Sequence, residues 1–166
     1  MFSTAPTPTA RRGNWLAFAA VLAAAVMDLM DTTITQVAGP AIRGDLHGSD
    51  ALLEWVTAAY TLAMGVGLLT GGRLGDLFGR KRMVLIGIAG FTVASVACAA
   101  AANPGELIWA RALQGLLAAV MLPQVFGLIQ DLFEAHQMGK AFAVYGPVMG
   151  LSAVLGPIAA GGLRCV

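Results

Sequence analysis

Two carboxylates and one guanidinium stand inside stretches that are otherwise apolar. Asp28 and Asp31 belong to one such stretch, and Arg111 belongs to another. At about 100° per residue of an α-helix, Thr35 shares the face of the two carboxylates and Gln114 shares the face of Arg111. Charged groups at membrane depth usually face a protein interior or a water-filled cavity. These five residues are therefore predicted to bind a proton or a solute, with a purely structural role as the alternative.

Helix geometry places the opposite charges at similar depths. With a rise of about 1.5 Å per residue, Asp28 lies roughly 21 Å from the cytoplasmic start of its segment, and Arg111 roughly 7 Å below the outer face. These depths nearly coincide in a hydrocarbon core about 30 Å thick. We expect Arg111 to approach Asp28 or Asp31. When Arg111 is close, it favours the charged form of the carboxylate; when the two groups are apart, the carboxylate can take up a proton. A permanent ion pair that fixes helix packing is the alternative.

The composition indicates a bilayer as the surrounding medium. Of the 166 residues, 58% are hydrophobic and only 11% are charged, whereas soluble domains carry about 25% charged residues. Five apolar runs reach or exceed the length of about 20 residues that a spanning helix needs. We predict an all-α membrane protein with a disordered cytoplasmic tail at 1–13 and a bundle at 14–166, whose spans are 14–40, 51–72, 83–102, 107–130 and 139–163.

The distribution of cations predicts the orientation of this multi-pass protein in the cell membrane. With a cytoplasmic N-terminus, two of the ten cations lie outside, one is intramembrane, and seven are cytoplasmic: Arg11, Arg12, Arg73, Arg80, Lys81, Arg82 and Lys140. This bias follows the positive-inside rule. A cleaved signal peptide is the alternative for the first segment, but the further spans favour a true first span.

No pattern in the sequence indicates an enzyme. The HExxH and GxSxG motifs are absent, and His47 and His136 lie in predicted loops without partner ligands. Cys98 and Cys165 form no metal-binding spacing. The net charge of +1 gives no indication of nucleic-acid binding. We therefore expect no catalytic site, no metal and no cofactor.

The fifth apolar segment is rich in glycine and proline. Proline removes backbone hydrogen bonds, and glycine permits close helix contact. We predict that this segment bends or packs tightly in a moving bundle, with a static span as the alternative. The positions expected to carry the bend are Gly150, Gly156, Pro157 and Gly161.

A charged turn broken by glycines follows the second segment. Residues 72–82 read Gly72-Arg73-Leu-Gly-Asp76-Leu-Phe-Gly79-Arg80-Lys81-Arg82. Asp76 can orient the surrounding cations and cap a helix start, and a solvated cluster that only sets the orientation is the alternative. The turn resembles the signature of the major facilitator superfamily, G-x-L-(G/A)-D-x-x-G-R-(K/R)-(K/R).

Three further stretches are similar to motifs of that superfamily. Residues 107–115 resemble its span 4 motif, and residues 156–162 resemble the antiporter motif of span 5. Residues 31–40 resemble the span 1 motif of the fourteen-span drug:proton antiporters. Gln36 replaces a usual Asn, Gly39 a usual Leu, and Ala160 the first of two paired glycines. The resemblance covers nearly the whole chain.

The resemblance implies a fold and a conformational latch. The five spans would form an incomplete N-terminal six-helix bundle, whose missing partner is the C-terminal bundle of the same transporter. Asp76 would contact a helix of that other half. Arg80 or Arg82 would pair with an acid at the end of span 4, for which Asp131 and Glu134 are the candidates. Breaking this network would shift the balance between inward-open and outward-open states.

The resemblance also implies an activity. We expect part of a proton-coupled exporter of small lipophilic or cationic drugs or toxic metabolites, which works by alternating access and draws its energy from the proton gradient. Asp28 or Asp31 would carry the proton or cation, with Arg111 as relay partner. An importer or uniporter on the same fold and a non-transporting membrane fragment are the alternatives. At this length, a truncated piece is favoured over a subunit that assembles with others.

Overall fold

Five long helices make up the part of the chain that the structure describes. This computed structural model describes residues 8–49, 51–133 and 135–162. The helices are α1 (Pro8–Asp45), α2 (Leu52–Phe78), α3 (Arg80–Ala99), α4 (Pro104–Leu132) and α5 (Ala135–Gly162). Each contains a stretch of 20 to 28 residues that is apolar enough to cross a membrane. The prediction of an all-α membrane fold is therefore confirmed.

The first helix is longer than the sequence pattern predicts. It begins at Pro8, so residues 8–13 are helical and do not belong to the disordered tail predicted for residues 1–13. Proline is readily accommodated in the first turn of a helix, because its missing N–H would have no partner there. The helix also runs through Pro40 to Asp45. Membrane helices tolerate an internal proline when neighbouring groups satisfy the freed carbonyl.

The fourth helix is the centre of the bundle, and its small residues bring α2 very close. Gly71 of α2 faces the backbone of Ala119, and Gly115 of α4 faces the backbone of Tyr60, with no room for a side chain at either glycine. The buried Gln124 amide donates to the carbonyl of Gly71 at 2.7 Å. Small residues and interhelical hydrogen bonds are what hold membrane helices together. These contacts fix the rotation of α2 against α4.

The first and fifth helices form the other side of the bundle. Phe18, Val21 and Ala25 of α1 pack in one buried cluster with side chains of α4 and α5. The ring of Phe18 meets the ring of Phe133 edge to face, with centroids 5.2 Å apart, in the geometry that aromatic pairs prefer. Further along, Gly156 of α5 lies against the side chain of Thr33. The face of α1 that carries Asp28, Asp31 and Thr35 is turned toward α2 and α4.

Candidate functional site

Arg111 is the centre of a buried polar network. It lies on α4, only 6% exposed, and its Nη1 donates to Asp31 Oδ2 at 2.6 Å. The same nitrogen donates to Gln114 Oε1 at 2.9 Å, and Nη2 donates to the hydroxyl of Thr35. The network therefore brings together four of the five polar residues that the sequence predicts at membrane depth.

The network continues into α3. The amide of Gln114, which is completely buried, donates to Ser95 Oγ at 2.8 Å. The hydroxyl of Ser95 in turn donates to the carbonyl of Phe91 at 2.9 Å. Sequence reasoning did not find Ser95, because one hydroxyl in an apolar span carries no signal of its own. Through Ser95 and Gln114, α3 is therefore linked by hydrogen bonds to the guanidinium on α4.

Asp28, the fifth predicted residue, has a different partner. The hydroxyl of Tyr60 on α2 donates to Asp28 Oδ1. Tyr60 is itself 5% exposed, and its backbone is held against Gly115. The sequence offered no signal for Tyr60 beyond an aromatic residue in an apolar span, so it was missed. Of the two carboxylates considered as partners of Arg111, the structure selects Asp31.

Two cavities flank this network, and each contains one of the two carboxylates. A cavity of about 240 Å³ is lined by Asp28 and Tyr60. A second cavity of about 370 Å³ is lined by Asp31 and extends to Asp45 at the end of α1. Arg111 and Thr35 line both cavities. The guanidinium thus borders both cavities, and each cavity also contains one carboxylate.

The charged turn between α2 and α3 contains a separate ion-pair network. Arg80 Nη1 lies 3.4 Å from Asp131 Oδ2, and Arg80 Nη2 lies 3.5 Å from Asp76 Oδ1. The exposed fractions of the side chains are 33% for Arg80, 59% for Asp131 and 64% for Asp76. Exposed pairs of this kind contribute about 0–1 kcal/mol. The network can therefore break and re-form at little cost.

The expected pairing of the turn with the end of the fourth span is thus present, through Arg80 and Asp131. Glu134, the other predicted acid, lies outside the described residues. Lys81 and Arg82 line a cavity at the turn together with Asp131. Arg73 lies on α2, three residues before Asp76.

Glycines shape the turn. Gly79 joins α2 to α3 with φ of 92°, a conformation that only glycine adopts easily. Gly75, one turn earlier, packs directly against the side chain of Gln124. Gly72 is less crowded, since a Cβ there would meet its nearest neighbour, Pro123, at 3.9 Å. The short connection keeps Asp76 and Arg80 one helical turn apart.

The fifth helix runs unbroken through its prolines. Pro147 and Pro157 lie inside α5, and Gly156 makes the close approach to α1. A Cβ at Gly150 would meet no atom within 4 Å, and Gly161 is the second-last residue of the helix. Tight packing is therefore realised at Gly156, and bending at these positions stays a prediction.

Comparison with known proteins decides the family. Residues 21–163 match the family model described as Major Facilitator Superfamily. The chain belongs to the major facilitator superfamily. The matched residues include the charged turn and the buried network, as the sequence resemblance implied. The family points to a transporter rather than an enzyme.

Three curated relatives of this superfamily member are named as transport, resistance or export proteins. The chain is 53% identical to the probable actinorhodin transporter of Streptomyces coelicolor, over 94% of this chain and 27% of the relative. It is 46% identical to puromycin resistance protein pur8 of Streptomyces alboniger, over 93% of this chain and 30% of the relative. It is 38% identical to the tetracenomycin C resistance and export protein of Streptomyces glaucescens, over 94% of this chain and 29% of the relative. The chain thus spans less than a third of the length of these relatives.

Proposed function

We propose that this chain is part of a proton-coupled exporter of small lipophilic or cationic molecules. The observation that carries the proposal is the buried network of Asp31, Arg111 and Gln114 next to an Asp28 that faces a cavity. Intramembrane charges are costly, and in membrane proteins they mark ion and substrate pathways. The names of the relatives, which include a puromycin resistance protein and a tetracenomycin C resistance and export protein, support outward transport of small organic molecules.

Proton uptake would act on the bonds that join α1 to α2 and α4. A proton on Asp31 removes the attraction that holds Arg111 at 2.6 Å, and a proton on Asp28 removes the negative acceptor of the Tyr60 hydroxyl. Because these bonds cross between helices, each protonation changes how firmly α1 is held. Proton binding can in this way bias the bundle between two arrangements, which is what coupling requires.

Alternating access would need a second bundle that packs against this one, with the substrate bound between them. The pairs of Arg80 with Asp76 and Asp131 are weak enough to exchange partners during such a movement. In this view Asp76 releases Arg80 and contacts the second bundle in one state. The protein would be oriented in the cell membrane with a cytoplasmic N-terminus, following the excess of cations on that side.

Flux in inverted membrane vesicles tests the proposal. The protein at its native length is expressed in cells that lack their own efflux pumps, and uptake of ethidium into energised inverted vesicles is followed by fluorescence. We expect uptake that stops when an uncoupler removes the proton gradient. Asp31→Asn should reduce it at least tenfold. Glu54→Gln, which removes an exposed carboxylate in the first turn of α2, should leave it unchanged.

Two results would contradict the proposal. Uptake that persists without a proton gradient would remove proton coupling. Movement in the opposite direction, out of the inverted vesicles along the substrate gradient, would favour an importer or uniporter on the same fold. Protein amount in the membrane is compared by immunoblot for each variant, so that a loss of flux is not confused with a loss of protein.

A further inference from the structure

Gln114 is the residue through which the third helix reaches Arg111. Its side chain is completely buried, and both ends of its amide have partners. The amide oxygen accepts from Arg111 Nη1 at 2.9 Å and from the thiol of Cys98 at 3.6 Å. The amide nitrogen donates to Ser95 Oγ at 2.8 Å. Two of these three partners, Ser95 and Cys98, thus lie on α3.

The hydroxyl of Ser95 determines which way the amide points. It donates its proton to the carbonyl of Phe91 at 2.9 Å, so its oxygen can only accept from Gln114. The amide nitrogen must therefore face Ser95, and the amide oxygen must face Arg111. In the reverse orientation, N–H groups of the amide would meet N–H groups of the guanidinium, with donors on both sides. Cys98 supports the observed orientation, because its thiol donates to the amide oxygen.

The guanidinium of Arg111 is short of acceptors. It carries five N–H groups, and the side chains that accept from it are Asp31, Thr35 and Gln114. Within the part of the chain that the structure describes, its Nε has no acceptor. A buried charged group with few hydrogen bonds is costly. The loss of any one acceptor is therefore expected to change how the guanidinium is held.

The oxygen of Gln114 matters most when Asp31 is protonated. A proton on Asp31 removes the negative charge that lies 2.6 Å from Arg111, and the guanidinium then depends on its neutral acceptors. A fixed neutral acceptor stabilises this protonated state more than the ionised state, because the carboxylate already satisfies the cation in the ionised state. The fixed amide therefore makes it easier for Asp31 to take up a proton.

We propose that Ser95 is a positioning residue, which fixes the amide of Gln114 so that an acceptor stays on Arg111. Through this acceptor, α3 raises the pH at which Asp31 takes up its proton. The inference rests on the proposed function, in which Asp31 can carry a proton, and it gives α3 a part in that step.

Other ionisable groups surround Asp31, and they are unaltered when Ser95 is replaced. They are Asp28 and Asp45 on α1, Tyr60 on α2, Cys98 on α3, Arg111 on α4 and, close to Asp28, Tyr145 on α5. A change in proton uptake by Asp31 in a Ser95 variant therefore reports the hydrogen bond between Ser95 and Gln114.

Infrared titration of the detergent-solubilised protein, at its native length, tests the proposal. The absorption of protonated carboxyl groups is followed against pH, and Asp31→Glu, which keeps the charge, identifies the band of Asp31 by its changed frequency. In Ser95→Ala the midpoint of this band should move to lower pH by about 0.5–1 unit, or about three- to tenfold weaker proton binding, as expected for the loss of one hydrogen bond. Ser95→Thr keeps the hydroxyl and should restore the midpoint.

Two further variants separate positioning from packing. Gln114→Leu removes the acceptor itself and should shift the midpoint in the same direction. Adding Ser95→Ala to it should shift the midpoint no further, because Ser95 acts through Gln114. Thr92→Ala is the matched control, since Thr92 is an exposed α3 residue whose hydroxyl donates to the carbonyl of Ile88 at 2.8 Å. Its removal should leave the midpoint unchanged.

The proposal is overturned if the midpoint in Ser95→Ala is unchanged or moves to higher pH, because a serine that only stabilises the bundle would give that result. It is also overturned if the shifts of Ser95→Ala and Gln114→Leu add, or if no titrating band belongs to Asp31. The titrations need no transport. A shifted midpoint without proton-driven flux in vesicles would contradict the proposed exporter and leave the role of Ser95 intact, and proton-driven flux with an unshifted midpoint would do the reverse.

Discussion

Removing the charge of Asp31 should destabilise the bundle strongly, because it leaves Arg111 without its counter-ion. The guanidinium is buried and lies 2.6 Å from Asp31 Oδ2. Breaking a buried ion pair by removing one partner costs about 3–5 kcal/mol. In Asp31→Asn the new amide oxygen still accepts one hydrogen bond, which returns about 1 kcal/mol. We expect the free energy of unfolding to fall by about 2–4 kcal/mol.

A double-mutant cycle measures the coupling directly. Asp31→Asn, Arg111→Gln and the double variant are unfolded reversibly in mixed micelles, with helix content as the readout. Because the double variant contains neither charge, it should be less destabilised than the sum of the single variants, by about 2–4 kcal/mol. The matched control is the same cycle on Arg80 and Asp131, an exposed pair with a 3.4 Å separation, for which about 0–1 kcal/mol is expected. Equal coupling in both cycles would refute the argument from burial.

Three further predictions concern helix packing, capping and the charged turn. Gly115→Ala should lower the free energy of unfolding by about 1–3 kcal/mol, because its Cβ would clash with the backbone of Tyr60. Gly65→Ala, which meets open space, should be neutral or slightly stabilising in the same unfolding assay. Asn103→Ala removes the side-chain cap of α4 and should cost about 1 kcal/mol on unfolding. Arg80→Gln should change stability by less than about 1 kcal/mol yet reduce vesicle flux several-fold. An equal loss of flux in Lys140→Gln would show a general effect of surface charge instead.

The membrane class and the five long helices of the described residues could be predicted from the sequence. Hydropathy along the chain is a local property, so apolar runs between cations predict spans without knowledge of their packing. The rise per residue of a helix is constant, so counting residues predicted similar depths for Asp28 and Arg111, whereas the structure pairs Arg111 with Asp31. Helix ends were predicted less well, since the predicted first span covers 14–40 and α1 extends from Pro8 to Asp45.

Only the tertiary structure decided which polar groups meet. Asp28 and Asp31 lie less than one turn apart on the same face of α1, so counting residues could not tell which of them meets α4. That choice depends on how α1 is rotated against α2 and α4, which close backbone contacts at Gly71 and Gly115 hold together. In this arrangement Tyr60 of α2 meets Asp28, and Arg111 of α4 meets Asp31. The sequence by itself predicted that opposite charges lie near each other in the membrane, and the packing of the helices decided which carboxylate pairs with Arg111, because that depends on helix rotation and not on local sequence.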